Sequence, residues 1–151
     1  MILRIAVGFL ILFSASGSAS EPPAPAQPSE SDVRLETATG TLFGSLLLPP
    51  STGPHPLVLL HAGSGPTDRN GNSAILPGAN DSLKLLAEAL AVRGIASVRY
   101  DKRGVAASAA AAPLENELRF DTYVEDAAAW VRQLRTDPRF GTITLLGHRC
   151  L

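Results

Sequence analysis

Residues 56–72 read PLVLLHAGSGPTDRNGN, and the fold turns on the change of character half-way through them. Leu57, Val58, Leu59 and Leu60 are apolar without polar alternation, the pattern of a strand covered on both faces and hence of the interior of a parallel sheet. The chain then passes into a loop of glycine and short polar residues. Gly63 and Gly65 open backbone angles closed to other residues and let the chain pass close to a ligand, so backbone N–H groups can be turned inward. A strand that runs straight into such a loop predicts an anion or oxyanion site at the strand end.

Upstream, residues 33–38 and 41–48 read as two strands of a hairpin turning at Thr39 and Gly40, stopped by Pro49 and Pro50. This hairpin is expected at the antiparallel edge of the sheet. Downstream, Asp81 and Ser82 suit a helix cap. Leu83, Leu86, Ala87 and Leu90 then recur at helical spacing, and Gly94 terminates the helix. Residues 95–100 form the next strand and run into Asp101, Lys102, Arg103 and Gly104. The alanine-rich run 105–112 carries little information, and Pro113 closes it.

A second helix is predicted to start near Thr122, whose hydroxyl caps while Glu125 reaches back. Tyr123, Ala127, Trp130, Val131 and Leu134 make its buried stripe, with Trp130 read as core. The helix stops at Asp137 and Pro138, and residues 142–146 supply the last strand. A hairpin followed by two strand-helix-strand units is an α/β chain with a parallel sheet and no internal repeat.

The amino terminus has another character. Arg4 precedes an apolar run of nine residues, 5–13, and small residues continue to Ser20. That is the layout of a secretory signal peptide over residues 1–20, cut after Ala19 or Ser20. The run is too short to span a bilayer, which takes roughly 20 apolar residues. Residues 21–32, with Pro22, Pro23, Pro25 and Pro28, are too proline-rich to fold alone. Residues 33–151 then form one modest domain, and the expected location is the periplasm or the exterior.

Composition excludes several classes. The net charge of −1 and 5% aromatic content show no basic or stacking surface for nucleic acid. The one cysteine, Cys150, excludes an internal disulfide or a multi-cysteine metal site. His55, His61 and His148 lack the paired spacing of a zinc motif. No metal or cofactor is expected. Other uses of the glycine loop fail at named positions: a dinucleotide fingerprint needs glycine at Asp68, and a phosphate loop needs Lys where Asn72 stands. A calcium loop needs glycine at Ser73 and glutamate at Ala79. Residues 68–72 otherwise read as a surface turn held by side-chain to backbone bonds, or as part of a pocket wall.

The strings AGSGPTDRNGN, RYDKRGVAAS and TLLGH, in that order after successive strands, resemble the α/β-hydrolase fold. The likeness is greatest to exported bacterial hydrolases related to dienelactone hydrolases and serine aminopeptidases. It covers roughly residues 33 to 148. The resemblance implies an incomplete α/β-hydrolase sheet: an antiparallel amino-terminal hairpin, then parallel strands with helices on both faces. It implies that the loop after the third strand supplies one oxyanion donor, from Gly63 or Ser64. His61, Asp68, Arg69, Asp101 and Arg103 are the candidates for shaping the pocket. The substrate class would be a small carboxylic ester or amide.

The chain departs from the family at residue 149. Gly147 and His148 should lead to the serine of a Gly-x-Ser-x-Gly elbow, but Arg149, Cys150 and Leu151 stand there. An arginine stays protonated and is no acyl nucleophile. Cys150 is one residue past the required position and has no downstream acid or histidine to activate it. The expectation is the amino-terminal part of an exported serine hydrolase, inactive alone, cut short by a frameshift or stop, and prone to self-associate through an open apolar edge at Ile143, Thr144 and Leu145. The alternative is a non-catalytic exported module that binds an anion or a partner protein through loop 63–72.

Overall fold

The computed structural model describes residues 26–112 and 118–148. The leader expected at residues 1–20 and the departure at Arg149 and Cys150 lie outside them. Five strands form one sheet: β1 (Ser29–Thr37), β2 (Gly40–Leu48), β3 (His55–His61), β4 (Ala96–Tyr100) and β5 (Phe140–Gly147). Helix α1 (Ser82–Ala91) joins β3 to β4. A 3-10 helix (Ala106–Ala111) and helix α2 (Phe120–Arg135) join β4 to β5.

The order across the sheet is β1-β2-β4-β3-β5. β1 and β2 form the antiparallel hairpin, β2 runs antiparallel to β4, and β3 pairs in parallel with both β4 and β5. All five residues of β4 are buried, because it has neighbours on both edges and helices on both faces. β3 shows why its sequence lacks alternation. Leu57 and Leu59 pack with Trp130 and Leu134 of α2, while Leu60 and Val58 pack with Ala87 and Ala91 of α1. Each buried leucine adds about 1.5–3 kcal/mol of burial energy, so a polar residue on either face of β3 is costly.

Local details depart from the sequence expectations. β1 starts at Ser29, so Ser29, Glu30, Ser31 and Asp32, assigned to the unfolded segment, pair with Leu48, Leu47, Leu46 and Ser45. Glu30 also reaches the buried Arg99 at 2.7 Å. Asp81 sits at the start of α1, but its side chain makes no capping bond. The N–H of Leu83 instead donates to the Asn70 carbonyl at 2.9 Å. The buried face of α1 is Leu83, Ala87 and Ala91, and its two alanines bring the helix close to the sheet. α2 begins at Phe120 rather than at a Thr122 capping box, and its N-cap, Arg119, makes no side-chain capping bond. Trp130 is fully buried, as expected of a core residue.

β5 has no neighbour on its outer side among the described residues, and Leu145 and Leu146 are 52% and 38% exposed. Also among the described residues, no helix is long and apolar enough to cross a membrane.

Candidate active site

From β3 the chain leaves toward one neighbour through α1 and returns on the other side as β5, so the strand order reverses at β3. In open parallel sheets a crevice forms outside the carboxyl ends at such a point. Here it is a cavity of about 960 Å³. His61 and loop 62–66 form one wall, residues 102–105 another, and Phe120 and Tyr123 of α2 with His148 complete the rim.

The glycine loop is held by its carbonyls. The Lys102 ammonium donates to the carbonyl oxygens of Gly63 and of Gly65, the second at 3.0 Å. The Thr67 hydroxyl donates to the Ser64 carbonyl at 3.0 Å, and the Thr67 N–H to the Gly65 carbonyl at 2.9 Å. In a trans peptide the N–H points opposite to the C=O. Fixing the carbonyls of Gly63 and Ser64 therefore turns the N–H groups of Ser64 and Gly65 the other way. Neither N–H has an acceptor among the described residues. Gly65 has φ 71°, in the left-handed region glycine enters without strain.

Asp68, Arg69 and Asp101 stand behind this loop and do not line the cavity. Asp68 Oδ1 accepts the N–H groups of Asn70 and Asn72 at 2.8 and 2.9 Å, closing a turn. Asp101, 1% exposed, accepts the Arg69 backbone N–H at 2.7 Å and its guanidinium at 3.0 and 3.1 Å. It also accepts the Ala107 N–H at 3.2 Å. These carboxylates are consumed by bracing, and that geometry keeps them off the wall.

Arg103 does line the cavity, but its guanidinium is engaged. It makes two bonds of 2.6 Å to Asp126 of α2 and one of 3.0 Å to the Ala111 carbonyl, and it donates to the Thr39 hydroxyl. The pair is buried on both sides.

His61 Nδ1 lies 2.6 Å from the Tyr100 hydroxyl. Burial, and then the nearby Lys102 ammonium, hold the imidazole below its ordinary pKa, against a smaller upward pull from Asp126. Burial pushes the Tyr100 phenol well above its ordinary range, with Asp126 adding to the shift. Both rings are therefore neutral at neutral pH, and Nδ1 is engaged by the phenol. His61 Nε2 has no partner among the described residues. The His148 N–H donates to the His61 carbonyl at 2.9 Å, which places the end of β5 beside the glycine loop.

Of the residues singled out in the sequence, His61, Gly63, Ser64 and Arg103 line this crevice; Lys102, which also lines it, and Tyr100 and Asp126, which bond His61 and Arg103, were missed. Lys102 lies inside the turn after β4, but spacing gives no direction to a side chain in a turn. Asp126 had a usable signal: an acid on the face of α2 that also carries Tyr123, Ala127 and Trp130. A second, apolar groove of about 530 Å³ lies between α2 and β5, with Val124, Ala127, Val131 and Leu145 on its walls. Among the described residues no group of three or more His, Cys, Asp or Glu is placed to hold a metal ion.

No protein-family model matches the chain. It is 30% identical over 142 residues to the esterase EstD of Thermotoga maritima, a match that covers 94% of this chain and 32% of that protein. The crystal structure of the α/β hydrolase GrgF from Penicillium sp. sh18 matches with a TM-score of 0.60 and 27% identity, over 79% of this chain and 37% of GrgF. Dienelactone hydrolase from Anabaena variabilis shares the fold, with a TM-score of 0.57 and 21% identity, over 80% of this chain and 52% of its own. The chain has the fold of the α/β hydrolases. It spans about a third to a half of the length of these relatives.

Proposed function

We propose that this chain is the amino-terminal part of a serine hydrolase that cleaves carboxylic esters or small amides through an acyl-enzyme. The observation that carries the reading is the pair of N–H groups, Ser64 and Gly65, left without acceptors among the described residues at the mouth of the crevice beside β3. Acyl transfer places negative charge on a carbonyl oxygen as the nucleophile attacks. N–H groups fixed in advance stabilise that charge without reorganising, and removing one such donor typically costs about 3 kcal/mol of transition-state stabilisation. The EstD likeness supports ester chemistry.

The donors are half of the machinery. In α/β hydrolases the serine sits on a strand-to-helix elbow and its acid and histidine come later in the chain. In the sequence, the family's order puts that serine two residues after Gly147, where this chain has Arg149. A neutral His61 at the crevice wall suits contact with an uncharged ester better than proton transfer, since its Nδ1 is held by Tyr100.

The test is to read the coding DNA beyond codon 151 in all three frames, express the longest product, and assay p-nitrophenyl acetate hydrolysis beside the 151-residue chain. The expected result is an elbow serine at position 149 with a downstream acid and histidine in one frame, activity in that product and none in the 151-residue chain. If no frame supplies them and no product is active, the hydrolase reading is overturned in favour of a module that binds through loop 63–72.

A further inference from the structure

We propose that Lys102 aligns and polarises the donors of the glycine loop, so that Ser64 and Gly65 form an anion seat of which Lys102 is the positioning residue. The inference deepens the hydrolase reading and rests on it for its catalytic meaning, though not for its test.

Three observations lead there. Lys102 is only 6% exposed, and a buried ammonium is costly unless hydrogen-bonded. It donates to two carbonyls of one short loop, Gly63 and Gly65. Those two bonds have different consequences. The Gly65 carbonyl belongs to the peptide with Pro66, which has no N–H, so that bond anchors the loop and commits no donor. The Gly63 carbonyl belongs to the peptide with Ser64. An ammonium on that oxygen both sets the direction of the Ser64 N–H and withdraws charge from it, which strengthens it as a donor. The Thr67 hydroxyl fixes the next peptide in the same way and presents the Gly65 N–H. Two successive donors are thereby fixed, with a positive charge behind them. The depressed pKa of His61 fits that position, because Lys102 is one of its causes.

The chemistry defined is a small oxyanion bound by backbone N–H groups, as at other N–H concavities. The probe is inorganic phosphate, titrated at fixed ionic strength into the ¹⁵N,¹³C-labelled 151-residue chain. The Ser64 and Gly65 amide signals are expected to shift, and those of Asn70 and Asn72, already held by Asp68, to stay. Lys102→Met is expected to weaken phosphate binding about tenfold or more and to move the carbonyl carbon signals of Gly63 and Gly65. Lys102→Arg, which keeps charge and donors, is expected to restore most of both.

Unmoved Ser64 and Gly65 amides in the unsubstituted chain would overturn the proposal, and this measurement decides the matter if Lys102→Met does not fold. Weakened binding with unmoved carbonyl signals would reduce Lys102 to a remote charge and overturn the aligning role. None of these readouts needs turnover. An inactive full-length product would therefore sink the hydrolase reading and leave the anion seat standing.

Discussion

Replacing Asp126 by alanine is the sharpest perturbation of the frame around the crevice. Asp126 and Arg103 are joined by two bonds of 2.6 Å, and their side chains are 5% and 8% exposed. Asp126→Ala leaves the guanidinium buried with only the Thr39 hydroxyl and the Ala111 carbonyl. Breaking a buried pair from one side costs about 3–5 kcal/mol, because the remaining charge is uncompensated. Total stabilities of about 5–15 kcal/mol make that a large fraction. With a urea dependence of about 1–3 kcal/mol per molar, the unfolding midpoint should fall by roughly 2 M. Followed by Trp130 fluorescence, the Arg103→Met/Asp126→Leu double variant should lie much closer to the unsubstituted chain than Asp126→Ala does, since an apolar pair carries no desolvation cost. A fall of less than about 0.5 M for Asp126→Ala would contradict that cost, as it would mean that the pair is hydrated or contributes nothing net.

Gly71→Ala should destabilise the chain by more than about 1 kcal/mol in the same urea assay, because Gly71 has φ 95° and an added Cβ would lie 2.4 Å from Ser82 Oγ and 3.1 Å from the Leu83 nitrogen. Acidification should weaken the fold through His61, whose folded pKa lies below the ordinary 6.5. Below that value the unfolded chain takes a proton that the folded chain refuses, so stability falls until the folded pKa is passed. His61→Gln should remove that part of the pH dependence, and an unchanged profile in the variant would rule it out. The exposed β5 edge should drive self-association that grows with concentration in sedimentation velocity, and Thr144→Lys, a charge on the edge, should reduce it. A monomer at high concentration with cooperative melting would count against that expectation.

What was legible in the sequence was what periodicity decides. The uninterrupted apolar run Leu57 to Leu60 specified a doubly covered strand, and Leu83 and Ala87, with Trp130 and Leu134, specified which faces of the helices are buried. What was not legible depends on partners distant in the chain. Ser29, Glu30, Ser31 and Asp32 carry no apolar signal and become strand because backbone pairing with β2 and the Glu30 to Arg99 bond favour it. The alanine-rich run 106–111 has no period to read. Its buried Ser108 hydroxyl accepts the Phe43 N–H at 2.9 Å, which pins the 3-10 helix to β2. For the site, glycine after a strand was legible as a place where backbone donors gather. Which donors are left unpaired depends on Lys102 and Thr67, whose directions no spacing reveals.

The four residues after β4 show how a short turn can shape a whole crevice. A strand alternates its side chains between two faces, but as the chain leaves β4 that alternation ends and successive side chains fan out. Asp101 reaches back to Arg69 and fixes the base of the glycine loop. Lys102 reaches across to Gly63 and Gly65 at the mouth of that loop. Arg103 reaches the other way, to Asp126 on α2, to Thr39 at the hairpin turn and to Ala111. Gly104, at φ 75°, then reverses the chain into the 3-10 helix. Because Asp101 and Lys102 hold the glycine loop while Arg103 holds the hairpin turn and α2, a backbone shift in this turn moves the loop, the hairpin and α2 together. Substitutions at Asp101, Lys102 and Arg103 should for that reason be non-additive, each removing part of a frame that the other two also need.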